Sequence, residues 1–198
     1  MSEIEKVEKT LKIIILGSSE VGKTCILNRY FHNEFKENLL STIGIDFQTK
    51  YFKFENKKIK ANYIDTAGQE KFRAISVNYL KGTDGVILVF DITKRETFDL
   101  LETWLNELKD TNKGDVSKVL IGNKSDLANA RKVSFEEATN LAETMKCTYY
   151  EASAKTGEKV AEALDEIARI SFINSSIEEE RIDSIVLEKQ VKSKKKCC

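Results

Sequence analysis

Residues 17–24 read Gly17-Ser18-Ser19-Glu20-Val21-Gly22-Lys23-Thr24, between the aliphatic run Leu11–Leu16 and the helix-like run Cys25–Phe31. Gly-x4-Gly-Lys-Thr after a strand and ahead of a helix is the phosphate-binding P-loop in its required setting. The glycines let successive backbone N–H groups face phosphate oxygens at a helix N-terminus. Lys23 can reach the β- and γ-phosphates, and the Thr24 hydroxyl can take a place on Mg²⁺. Asp65, at the head of Asp65-Thr-Ala-Gly68-Gln69, is placed like a carboxylate that helps hold Mg²⁺. Gly68 can offer an N–H to a γ-phosphate, and the Gln69 amide can orient water. In Asn123-Lys124-Ser125-Asp126 the last carboxylate can accept hydrogen bonds from the N1–H and exocyclic amino group of guanine. Adenine presents an acceptor and no amino group there, so its pairing would leave a desolvated carboxylate unmet. Ser153-Ala154-Lys155 can add a backbone N–H to the guanine O6.

These groups must be positioned by elements, and the chain alternates strand and helix. Residues 11–16 read as a buried parallel strand and 23–33 as helix, followed by a polar loop over 34–43. Two period-2 stretches, Ile45–Phe54 and Lys57–Ile64, predict a hairpin. Asp84–Ile92, Lys118–Gly122 and Cys147–Glu151 read as further strands. Helical spacing covers Glu96–Leu108, 134–146 and Lys159–Ile173, the second opened by a Ser134/Glu137 capping box. The pattern predicts an α/β fold: a mostly parallel sheet with helices on both faces and one antiparallel strand from the hairpin. Ligands of such a sheet bind at the carboxyl ends of its strands, where the residues above fall one after another. Trp104 is expected in the core, and His32 on the surface rather than in catalysis.

Composition narrows the classes. A length of 198 residues suits one domain and a tail, and 32 basic against 32 acidic residues give no global nucleic-acid signature. No apolar run is long enough to span a membrane, and the N-terminal residues resemble neither a signal peptide nor a myristoylation site. Cys25 and Cys147 fall in element-like contexts and Cys197-Cys198 at the end. That usage suits a reduced cytosolic protein without a disulfide framework.

The sequence resembles the Rab family of Ras-superfamily small GTPases. The likeness is carried by the motifs above and by Ser41-Thr-Ile-Gly-Ile-Asp-Phe47, Asp65-Thr-Ala-Gly-Gln-Glu-Lys-Phe-Arg73, Asn78-Tyr-Leu-Lys-Gly82 and Phe90-Asp-Ile-Thr93. It implies a P-loop NTPase G domain with a six-stranded sheet over residues 9–174, followed by a flexible tail over 175–198. It implies a GDP/GTP switch that hydrolyses GTP, recruits effectors in vesicle trafficking, and is expected to be a monomer. Thr42 is then the switch residue that joins Mg²⁺ when triphosphate is bound, beside Thr24 and Asp65. The phosphate loop supplies Ser18, Ser19, Glu20, Val21 and Cys25 to the nucleotide. Phe35 would stack on the guanine, and the Lys124 and Lys155 stems would flank it. Residues 34–47 and 66–80 correspond to the two switches. Phe47, Ile64 and Tyr79 match a hydrophobic effector patch. Exchange factors, GTPase-activating proteins, a GDP-dissociation inhibitor and effectors are the implied partners.

Three positions depart from the family. Glu20 replaces a small residue, Leu39 an aromatic, and Ile64 a tryptophan. They leave open a rival reading, a nucleotide-binding scaffold with little turnover. The end, Lys194-Lys-Lys-Cys197-Cys198, resembles the doubly geranylgeranylated Rab terminus. Two lipids anchor stably, and neighbouring lysines add roughly 1 kcal/mol each at an anionic surface. The expected location is the cytoplasmic face of an intracellular membrane, with cycling through the cytosol.

Overall fold

A computed structural model of the chain describes residues 6–37, 45–54, 56–66, 80–111 and 116–194, with side chains as far as Ile177. Among these, six strands form one sheet: β1 Val7–Leu16, β2 Ile45–Phe54, β3 Lys57–Thr66, β4 Gly85–Asp91, β5 Ser117–Asn123 and β6 Thr148–Glu151. Their order is β2-β3-β1-β4-β5-β6. β2 runs antiparallel to β3, with Ile45 opposite Thr66, and every other neighbouring pair is parallel. The helices are α1 Lys23–His32, α2 Arg95–Asp99, α3 Leu101–Thr111, α4 Phe135–Thr144 and α5 Val160–Lys194.

Alternation along β1 explains the layers, because successive side chains of a strand leave by opposite faces. Leu11, Ile13 and Ile15 join one buried cluster with Ile26 and Leu27 of α1 and Leu164, Ile167 and Phe172 of α5. Ile14 and Leu16 join a second with Leu101, Trp104 and Leu108 of α3 and Ala138 and Ala142 of α4. The helix after β1 therefore lies on one face and the helices after β4 on the other. β1 and β4 are neighbours, so the connections diverge between them and open a crevice at their carboxyl ends. His32 is exposed and Trp104 is buried, as the sequence predicts.

Two elements differ from the sequence expectation. The helix predicted over Glu96–Leu108 is interrupted at Leu100, where Thr103 N–H bonds Leu100 O three residues back and tightens the turn. The last helix does not stop near Ile173 but runs to Lys194. Residues 175–194 contain neither Gly nor Pro and are rich in Glu, Lys, Ile and Val. Nothing in them ends a helix, and their polarity alone does not.

The capping box at α4 is complete. Ser134 Oγ accepts from Glu137 N–H at 3.1 Å, and Glu137 Oε2 accepts from Ser134 N–H at 3.1 Å. Arg95 Nη1 donates to Glu137 Oε1 at 2.5 Å, and with the Ser134 bonds it holds the Glu137 carboxyl down at about 2. Ser134→Ala should lose about 1 kcal/mol of stability, seen as a drop of about 2–4 °C in Tm. An unchanged thermal transition would show that the cap contributes nothing.

Candidate functional site

The phosphate loop owes its shape to two glycines. Gly17 has φ 146°, and a Cβ there would lie 2.2 Å from Val89 O. Gly22 caps α1 with φ 95° in the left-handed region, and its Cβ would lie 2.4 Å from Asn123 Nδ2. Neither position accepts a side chain. Among the described residues no side chain caps α1, and its first turn holds no acidic residue, so the positive end of the helix dipole is not offset there.

Inside the loop sits the ammonium of Lys23, 6% exposed. It donates to Gly17 O at 2.8 Å and Ser18 O at 2.9 Å. Burial pushes its pKa down to about 8, and the negative charge of Asp65 works against that. A buried cation held by carbonyls alone is a demand for an anion. Thr24 Oγ1 donates to Asp65 Oδ2 at 2.6 Å. Asp65 Oδ1 is buried with no hydrogen-bond partner among the described residues, and burial raises this carboxyl above the usual range. A hydroxyl and a half-satisfied carboxylate at contact distance are a donor set that fits a hard divalent cation such as Mg²⁺. Ser18 Oγ is also buried without a partner among the described residues. Val21 is fully buried in the core, Ser19 is partly exposed, and Cys25 is a half-buried free thiol on the first turn of α1.

The second half of the site lies after β5 and β6. Asn123, 2% exposed, donates from Nδ2 to Val21 O at 2.7 Å and accepts at Oδ1 from Ala154 N–H at 3.1 Å. One amide thus ties the phosphate loop to residues 153–155. Asp126 is exposed, and its Oδ1 accepts from the buried Ser153 hydroxyl at 2.6 Å. Of the backbone donors expected for a base oxygen, Ser153 N–H bonds Glu158 O and Ala154 N–H bonds Asn123. That leaves Lys155 N–H as the loop's donor. Lys124 has φ 68°, and its ammonium lies 2.6 Å from the fully buried Asp91 carboxylate. Lys155 Nζ pairs with Glu37 at 3.2 Å. Phe35 is half-buried and packs on the cluster under α1.

Several expected residues fall differently. Glu20 does have a left-handed backbone, φ 63°, but its carboxylate is turned to Lys94 Nζ at 2.8 Å. Ile64, expected on an exposed effector patch, is 3% exposed and belongs to the core beside Ile14 and Leu80, while its cross-strand partner Phe47 is 55% exposed. β3 turns Ile64 to the face that carries Ile14 and Leu80, and that cluster covers it. Thr42, Gly68, Gln69, Tyr79, Leu39, Cys197 and Cys198 lie outside the described residues.

Two contributors escape sequence reasoning. Asp91 holds the Lys124 ammonium and also accepts from Thr93 N–H at 2.8 Å. Its signal was a carboxylate closing the otherwise apolar run Gly85–Phe90. The Ser153 hydroxyl orients Asp126, a role that no spacing announces.

A phosphate loop with a buried lysine, a hydroxyl–carboxylate pair and an exposed carboxylate beyond the fifth strand define a P-loop nucleotide hydrolase. The Ras family model matches residues 12–173. The chain is 40% identical over 187 residues to the Ras-related protein RABA5d of Arabidopsis thaliana, covering 94% of this chain and 85% of that protein. It is 45% identical over 159 residues to the Ras-related protein Rab-1 of Theileria parva, covering 80% and 72%. It is 42% identical over 152 residues to the Ras-related protein Rab-4 of Dictyostelium discoideum, covering 77% and 74%. The chain belongs to the Ras family, in its Rab branch, and is a small GTPase.

The depressed Lys23 pKa has a measurable consequence. Its folded pKa of about 8 lies below the ordinary 10.5, so between those values the unfolded chain binds more protons. The nucleotide-free fold therefore gains stability as pH rises through that window. Phosphates raise the pKa again, so binding should take up close to ~1 proton at a pH of about 9 and almost none at about 7. Calorimetry in buffers of different ionisation heat reads this directly. A proton count independent of pH would mean that Lys23 stays charged in the empty loop.

Proposed function

We propose that this GTPase is a membrane-anchored GDP/GTP switch of vesicle trafficking that reads guanine through Asp126. The observation that carries the reading is the convergence, at the carboxyl ends of β1, β3, β5 and β6, of a buried Lys23, the Thr24–Asp65 pair and the Ser153-oriented Asp126. Asp126 accepts from the guanine N1–H and amino group, and Lys155 N–H is available to O6. The Lys124 and Lys155 stems flank the base, with Phe35 beside it. The backbone of Gly17–Cys25 wraps the phosphates, and Lys23 neutralises charge on the transferring phosphoryl group. Thr24, Thr42 and Asp65 are the residues that would hold Mg²⁺, which supplies further charge neutralisation at the phosphate oxygens. Gly68 N–H meets the γ-phosphate, and Gln69 orients the attacking water.

Around this core the family resemblance supports regulation by an exchange factor, a GTPase-activating protein and a GDP-dissociation inhibitor. Effectors dock over the exposed Phe47, with Tyr79 from the second switch. The domain boundary is placed near residue 174, with a C-terminal extension that is helical to Lys194. Geranylgeranyl groups on Cys197 and Cys198 hold the protein on the cytoplasmic face of an intracellular membrane. No helix among the described residues is long and apolar enough to cross a membrane, so the reading makes attachment depend on lipid. Arg29, beside the base loop, is committed to the carbonyls of Ala154 and Lys155, and acceleration is assigned to an external arginine.

Guanine reading is tested by calorimetry with Mg²⁺. GDP should bind at least about 10³-fold more tightly than ADP, and Asp126→Asn should shift preference toward xanthine nucleotides, whose extra carbonyl wants a donor. Equal affinity for GDP and ADP would sink the assignment. The role of Gln69 is tested separately by single-turnover hydrolysis. Gln69→Leu should slow it by about tenfold or more while GTP stays bound. An unchanged rate removes Gln69 from the reaction.

A further inference from the structure

Arg29 commits all three guanidinium nitrogens to two places that are far apart in sequence. Nε donates to Ala154 O at 2.9 Å and Nη2 to Lys155 O at 2.7 Å. Nη1 donates to the backbone oxygen of Asn33 at 2.9 Å and to its Oδ1 at 2.8 Å. Asn33 is the left-handed C-cap of α1, φ 54°. Arg29 therefore joins the end of α1 to the loop that follows β6. A planar fork with fixed donors suits this task in a way that a lysine, a single point donor, does not.

The loop so held is the one that supports base recognition. Ser153 Oγ donates to Asp126 Oδ1, and Ala154 N–H donates to Asn123 Oδ1. Asn123 fixes residues 153–155 from the interior side, through the amide of residue 154. Arg29 fixes them from the solvent side, through the carbonyls of residues 154 and 155. Ten residues of helix, about 15 Å long, separate Gly22 in the phosphate loop from Asn33 at the Arg29 clamp. α1 is thus attached to the phosphate loop at one end and to the base loop near the other, and it sets the spacing between the two.

We propose that Arg29 is a positioning residue for guanine: by clamping the Ala154 and Lys155 carbonyls to the end of α1, it holds Ser153 and Asp126 in register with the base and so sets both nucleotide residence and base discrimination. The inference rests on the guanine reading of Asp126. The two can fail separately, because wild-type protein that does not prefer GDP over ADP defeats the reading without any variant.

The test uses full-length protein with Mg²⁺, stopped-flow release of a fluorescent GDP analogue, and competition between GDP and IDP, which lacks the exocyclic amino group. Arg29→Met should release GDP about tenfold faster or more and lose much of the preference for GDP over IDP. Arg29→Lys, able to reach one carbonyl, should fall between it and the wild type. Asn33→Gly keeps the left-handed cap and both loop bonds and should release at the wild-type rate. A purely structural arginine would lower Tm but leave the GDP to IDP ratio where it is. The proposal is overturned if Arg29→Met releases GDP within about twofold of wild type, if the ratio is unchanged, or if Asn33→Gly is as fast as Arg29→Met. Should Arg29→Met not fold, Arg29→Lys decides by the same two readouts.

Discussion

The side-chain amide of Asn123 is almost fully buried, and each of its ends is committed to a different loop. Its donor satisfies Val21 O in the phosphate loop, and its acceptor satisfies Ala154 N–H beyond β6. Without it, two backbone groups would be left buried and unpaired, at roughly 1–3 kcal/mol each. The same amide crowds Gly22, where a Cβ would approach Nδ2 at 2.4 Å. The glycine of the phosphate loop is therefore required by the base-side asparagine as well as by phosphate geometry. The phosphate loop and the loop after β6 are thus halves of one hydrogen-bonded structure.

That structure is built to be incomplete. Lys23 is buried against carbonyls, and among the described residues one Asp65 oxygen and Ser18 Oγ are buried without a partner. Each costs folding free energy in the empty protein, because burial disfavours a charged or unpaired polar group. Ligand binding recovers that cost, and stability is then linked to nucleotide by mass action. The charges that do not face the phosphates are settled within the protein. Asp91, wholly buried, is matched by the Lys124 ammonium and the Thr93 N–H. Lys124 is thereby drawn toward the carboxyl end of β4.

Most of the scaffold was legible in the chain because its signals are local. The alternation in Ile45–Phe54 gives β2 to the residue, and the Ser134/Glu137 pair marks the start of α4. The turn between β1 and α1 was legible for the same reason, since its two glycines and the lysine after them are adjacent residue types. The length of α5 was not, because the polar composition of residues 175–194 suggests a tail while no Gly or Pro there stops the helix. Ile64 illustrates a different limit. Its substitution for a larger residue was visible, but its burial depends on β1 and Leu80, which periodicity within β3 does not report. The contacts of Asp91 with Lys124, Ser153 with Asp126 and Arg29 with Ala154 span 33, 27 and 125 residues. Pairings of that range follow from topology alone.

Glu20 shows how a local irregularity is resolved at a distance. The backbone there is left-handed, φ 63°, a conformation that disfavours any residue with a Cβ. Its carboxylate would also repel phosphate. The structure turns that carboxylate outward to Lys94, the N-cap residue of α2, and the Lys94 ammonium holds it below the usual carboxylate range. Both side chains are solvent-exposed, so the pair adds little to stability. Its effect is directional. The charge is led away from the phosphates and toward the turn Asp91–Lys94, the turn that also holds Lys124 through Asp91. Strain in the phosphate loop persists while the repulsion is offset. Lys94 thus sets the direction of a phosphate-loop carboxylate from outside that loop.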